Sequence, residues 1–145
     1  MSIEHNYEVN VNWIHDRMGI IYSPELNEEI PVVTPPQFPK GINNLWSPEH
    51  LFTAAVNSCL MTTFLSIAEN SKLEFVQFSS KAMGKLEMVD GKYMMSLVTL
   101  KPVVTIADEE SREKAVKVLG KAETACLVSN SIKSTIVFEP EVRVK

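Results

Sequence analysis

Polar and apolar residues alternate near the start of the chain. In NYEVNVNWI (6–14), Tyr7, Val9, Val11 and Trp13 fall on one side. A period of two predicts a strand with one buried face. HDRMG (15–19) breaks the pattern as a turn, and IIYS (20–23) predicts a second strand. EEIPVV (28–33) predicts a third, which Pro31 places at a sheet edge because proline has no ladder N–H. TPPQFPKGINN (34–44) is too rich in Pro, Gly and Asn for regular structure and predicts a loop.

The period changes at Ser47. Ser47 can cap a helix, Pro48 suits its first position, and Glu49 suits the positive end of the dipole. The helix predicted from Ser47 to about Asn70 is ~36 Å long. Its apolar residues, from Leu51 and Phe52 through Leu60 and Phe64 to Ala68, cover most of its circumference. A helix apolar nearly all round is buried on more than one side, which in a chain this small predicts a partner subunit.

LEFVQFSSKAMGKLEMV (73–89) and KYMMSLVTLKPVVTI (92–106) flank Asp90-Gly91, a strong hairpin signal. A second helix is predicted from near Asp108 towards Ala125, with Ala115, Val118, Leu119, Ala122 and Ala125 as its apolar stripe and Gly120 weakening its middle. TIVFEPEVRV (135–144) predicts one closing strand. The order is strands, long helix, hairpin, helix, strand, without repeat or linker, and it predicts a single domain over 1–145.

Composition changes the picture mainly by exclusion. A net charge of −4 and a pI of about 5.4 argue against nucleic acid and against attraction to anionic membranes. The start, MSIEHNYEVNVNW, lacks a signal-peptide pattern, and no apolar run is expected to reach the length of a membrane span. These features predict a soluble cytoplasmic protein. Cytosolic thiols stay reduced, so Cys59 and Cys126 are not expected to form a structural staple. Their spacing fits neither CxxC nor a zinc pattern, and His5, His15 and His50 are scattered, so no metal is predicted. The residues alone leave Cys59 open to two readings: an inert core thiol, the commoner case, or a reactive one.

SPEHLFTAAVNSCLMTTF (47–64), with AETACLVSNSIKSTIVFEPEV (122–142), resembles the OsmC/Ohr family of thiol-dependent peroxidases. The resemblance spans essentially the whole chain, and two cysteine neighbourhoods at the right separation make it specific. It implies an α+β fold and an intertwined homodimer with central buried helices. It aligns Cys59 with the peroxidatic cysteine, Cys126 with the resolving cysteine, Glu49 with the acid of (S/N)-P-E-x-L-F, and Arg17 with the arginine after the first strand. Two departures stand out: His15-Asp16 where small residues are usual, and Leu127 where many members carry proline.

These residues suit the chemistry that the resemblance implies. The thiolate is the nucleophile, and burial alone would raise its pKa. Cys59 lies mid-helix, so a cation is expected beside it; Arg17 would fill that role, aimed by Glu49 as a bidentate partner. Glu49 and Cys59 are ten residues apart, ~15 Å along an unbroken helix, so a shared site would draw Arg17 and Glu49 from one subunit and both cysteines from the other. The implied cycle reduces a hydroperoxide through a Cys59 sulfenic acid and a Cys59–Cys126 disulfide. No bound cofactor is expected; an external dithiol, with lipoyl groups on a partner protein the leading candidate, would restore the thiols. The rival reading is a non-enzymatic dimeric binding module with an apolar inter-subunit cavity and incidental cysteines.

Overall fold

The computed structural model describes residues 2–145, which form two compact units, one ending at Leu51 and the other running from Phe52 to Lys145. In the first, β1 (Asn10–His15), β2 (Met18–Tyr22) and β3 (Ile30–Val33) form an antiparallel sheet in that order. Pro31 does lie on an edge strand, and 34–44 forms a loop without helix or strand. That loop is tied back by Ile42 N–H to Thr34 O (2.9 Å), and Val33 N–H bonds Trp46 O (2.9 Å).

Two expectations fail here. β1 begins only at Asn10, so Tyr7 and Val9 precede it. The face expected to be buried is also open, with Val11 65% and Trp13 76% exposed. Three strands of four to six residues make one layer, and a sheet buries a face only against a second layer.

The long helix α1 (Pro48–Asn70) begins as predicted. The Ser47 Oγ accepts the His50 N–H (3.2 Å), satisfying a first-turn donor. One stripe, Val56, Leu60, Phe64 and Ala68, is fully buried, whereas Met61 and Leu65 remain 39% and 41% exposed. Burial on all sides is therefore not reached within a single chain. With a mean hydropathy of 1.6 over its most apolar window, α1 is long and apolar enough to cross a membrane. That corrects the expectation that no segment has such a length. Here the buried stripe is the centre of a protein core instead: Phe64 packs edge-on against Phe75 and tilted against Phe78, at ring separations of 5.2 and 4.8 Å.

In the second unit, β4 (Gln77–Val89) and β5 (Lys92–Ile106) form the expected hairpin. Asp90 (φ 50°) and Gly91 (φ 79°) both take the left-handed backbone that a two-residue loop demands. β5 turns Val98, Leu100, Val104 and Ile106 into the core. Gly84 of β4 lies close beneath α1, where any Cβ would collide with the Thr53 side chain.

The second helix is preceded by a 3₁₀ turn at Glu109–Ser111, so α2 proper runs over Arg112–Ala125. It buries Ala115, Val118, Leu119 and Ala122 as predicted, but Ala125, at the end of the expected stripe, is exposed where the helix stops. A one-turn helix α3 (Leu127–Asn130), which was not expected, follows Cys126. The closing strand is in fact two, β6 (Thr135–Phe138) and β7 (Glu141–Val144), each parallel to β5. Pro140 and Pro102 both stand in the gap between the two pairings, and neither has an N–H to continue a ladder.

Candidate active site

The two cysteines come together within the second unit, although 67 positions separate Cys59 from Cys126 in the chain. Cys59 is half-buried on α1, its Sγ 3.9 Å from the hydroxyl of Thr63 one turn on. Cys126 is fully buried at the junction of α2 and α3. There the backbone leaves the helical region for one residue (φ −63°, ψ 109°), ending one helix and capping the next. This kink presses the Cys126 Sγ towards α1, 4.0 Å from Val56 O, while the Ser129 hydroxyl donates to it from 3.3 Å. Both thiols are free.

Their electrostatics differ in sign. Burial pushes the Cys59 thiol up. The Val128 N–H, the Cys126 side chain, the Thr63 hydroxyl and the Leu127 N–H together outweigh burial and hold Cys59 below the ordinary thiol value. Burial likewise pushes Cys126 up; Ser129 pulls it down through its hydroxyl and its N–H, but the neighbouring Cys59 charge adds to the rise. The result is a half-buried thiol held more acidic than an ordinary one beside a buried thiol held less acidic. Such a pair can supply a nucleophile and then a second sulfur within its reach. From its place in the middle of α1, Cys59 is expected to gain nothing from a helix terminus. The donors come from α3 instead, whose first N–H groups are left over by its own hydrogen bonding.

Arg17 and Glu49 come together in the first unit. They line an open groove of about 640 Å³ with Val11, Trp13, Met18 and Phe38 among its apolar walls. Arg17 stands in the tight β1–β2 turn, after Asp16 in the left-handed region (φ 47°), and its carbonyl accepts the Thr34 N–H (3.1 Å). Glu49 belongs to the first turn of α1. The predicted residues thus fall into two pairs: an arginine and a carboxylate in one groove, two thiols in one contact. Glu49 and Cys59 share α1 without a break, ~15 Å apart along its axis.

The model of the OsmC-like protein family matches residues 41–141, well over half of the chain. The chain belongs to the OsmC-like family. A relative from Bacillus subtilis strain 168, the uncharacterized protein YmaD, is 24% identical over 98% of this chain and 96% of its own length. An OsmC-like protein of unknown function from Vibrio cholerae superposes with a TM-score of 0.83 at 23% identity, covering 94% of this chain and 99% of that one. An organic hydroperoxide resistance protein from Elizabethkingia anophelis gives 0.79 at 20% identity, with both chains fully covered. OhrB, the organic hydroperoxide resistance protein of Bacillus subtilis, gives 0.68 at 20% identity over 96% and 98%. The fold is therefore the mixed α+β architecture of OsmC and Ohr proteins.

Within this OsmC-like chain, four contributors lie outside the residues expected from sequence: Thr63, Ser129, the N–H groups of α3, and Trp13 in the groove wall. Thr63 and Ser129 were detectable, lying four and three residues after the two cysteines, distances at which helical side chains meet. The α3 donors carried no signal, because a one-turn helix has no periodicity. Leu127, the departure from the common proline, contributes its N–H to the Cys59 environment, a donor that proline lacks.

Proposed function

We propose that this protein is a cysteine-based organic hydroperoxide reductase. The observation that carries the reading is the direct interaction of two free thiols of opposite bias, Cys59 lowered and Cys126 raised. The Cys59 thiolate attacks the terminal peroxide oxygen, the O–O bond breaks, and the alkoxide takes a proton and leaves as the alcohol. Cys59 is then a sulfenic acid. The Cys126 sulfur displaces its oxygen as water, giving the Cys59–Cys126 disulfide. An external dithiol, such as dihydrolipoyl groups on a partner protein, returns both thiols and is itself oxidised to a disulfide.

The functional unit in this reading is a homodimer with two shared sites. Arg17 and Glu49 of one protomer close over the cysteines of the other. Arg17 points its guanidinium donors at the oxygen that gains charge as the O–O bond breaks, and Glu49 aims it. The separation of Glu49 from Cys59 along α1 supports this arrangement, as do the exposed Met61 and Leu65 on the same helix. The apolar groove walls favour organic over hydrated peroxides.

Non-reducing mass spectrometry after one equivalent of cumene hydroperoxide tests the proposal. The expected product is an intramolecular disulfide with the loss of two thiols per chain. Retention of both thiols would leave the protein a binding module.

A further inference from the structure

Trp13 joins two features of the groove. Its indole Nε1–H donates to Asp16 O at 2.9 Å, bonding directly to the turn that carries Arg17. That turn needs fixing, because Asp16 holds a left-handed backbone and the β1–β2 register slips between Trp13 and His15. Trp13 is also paired across the ladder with Gly19, where a Cβ would meet the Asn12 carbonyl, and both residues line the groove. The ring is nevertheless 76% exposed. It is therefore an apolar wall held in place by its one polar atom, with its surface still open to a ligand.

Resting on the reductase reading, we propose that Trp13 is the specificity-determining and positioning residue of this groove: its ring selects bulky organic hydroperoxides, and its N–H fixes the turn that presents Arg17. The two roles separate by substitution. Trp13→Phe keeps an aromatic wall and removes the hydrogen bond. Trp13→Ala removes both.

The experiment compares kcat/KM for cumene hydroperoxide and hydrogen peroxide in wild type and both variants. Trp13→Phe should slow both substrates by a similar factor, leaving their ratio within about two-fold of wild type, since only Arg17 placement is disturbed. Trp13→Ala should lower the ratio of cumene to hydrogen peroxide about ten-fold or more, as loss of apolar pocket contact does elsewhere. An unchanged ratio in Trp13→Ala would overturn the wall. Wild-type rates in Trp13→Phe would overturn the clamp. A changed oligomeric state in Trp13→Ala with the ratio unchanged would assign the ring to an interface and end the proposal.

Should the protein reduce no hydroperoxide at all, the reductase reading fails but groove binding remains measurable. The chain has two tryptophans, so in Trp46→Phe protein the emission reports Trp13 alone. Saturable quenching or a shift by the unreactive alcohol 2-phenyl-2-propanol is expected. No change at millimolar alcohol would overturn the wall independently of catalysis.

Discussion

Cys59 and Cys126 differ in what surrounds them, and their variants should differ accordingly. Cys59→Ser is expected to abolish hydroperoxide consumption, because serine lacks a nucleophile of comparable strength at neutral pH. Cys126→Ser should allow a single turnover and leave a sulfenic acid on Cys59 that over-oxidises on further peroxide, both visible by mass. Turnover by Cys59→Ser with a dithiol would sink the peroxidase assignment. The pH profile follows from the direction of the Cys59 shift. The thiolate is the reacting form, so the rate of oxidation rises with pH through the Cys59 pKa. Because that pKa lies below the ordinary thiol value, the rise should be complete at a lower pH than for a free cysteine (about 8.5). Ultraviolet thiolate absorbance against pH gives the same midpoint directly. Thr63→Val removes one stabilising hydroxyl and should move the midpoint upward; an unmoved midpoint would exclude Thr63 from the site.

At the scale of elements, two glycines in the second unit make opposite predictions. Gly84 sits where α1 crosses β4, and a methyl group there would meet the Thr53 side chain and the end of Met95. Gly84→Ala should destabilise by ~1–3 kcal/mol, the usual cost of overpacking. Gly120 is exposed within α2, and nothing lies within 4 Å of a Cβ placed there. Gly120→Ala should therefore stabilise by ~0.5–1 kcal/mol through helix propensity and a less flexible unfolded chain. Thermal unfolding of the two variants beside wild type checks both signs. An equal effect of both would mean that the α1–β4 approach is looser than the geometry requires.

The second unit leaves large apolar side chains open to solvent: Met61 and Leu65 on α1, Met83 and Met88 on β4. The proposed partner subunit would cover such side chains. In the shared-site dimer proposed above, both sites would be equivalent and each would draw on both chains. Inactive Glu49→Gln or Arg17→Ala protein mixed with inactive Cys59→Ser protein should then regain activity. After random re-pairing of equal amounts, half the dimers carry one intact site, so recovery should approach about a quarter of wild type. Demonstrated subunit exchange without recovered activity would rule out the shared site.

Local rules acting within a few residues made much of this protein legible in its sequence. Ser47 and Pro48 set the start of α1, and Asp90-Gly91 set the hairpin, because a cap and a two-residue turn are decided by their own backbone needs. Pro31 fixed an edge for the same reason. Two cysteine neighbourhoods were enough to identify the family. Tertiary structure decided what depends on residues distant in sequence. It opened to solvent the alternating face of β1, since periodicity specifies a face but not what covers it. It split the last strand at Pro140, where Pro102 of β5 also lacks a donor. Above all, it brought the N–H groups of α3 to Cys59, a contact between positions 59 and 128 that no local pattern encodes. A thiol's reactivity depends on the charges and dipoles around it in space, and those are set only when the chain has folded.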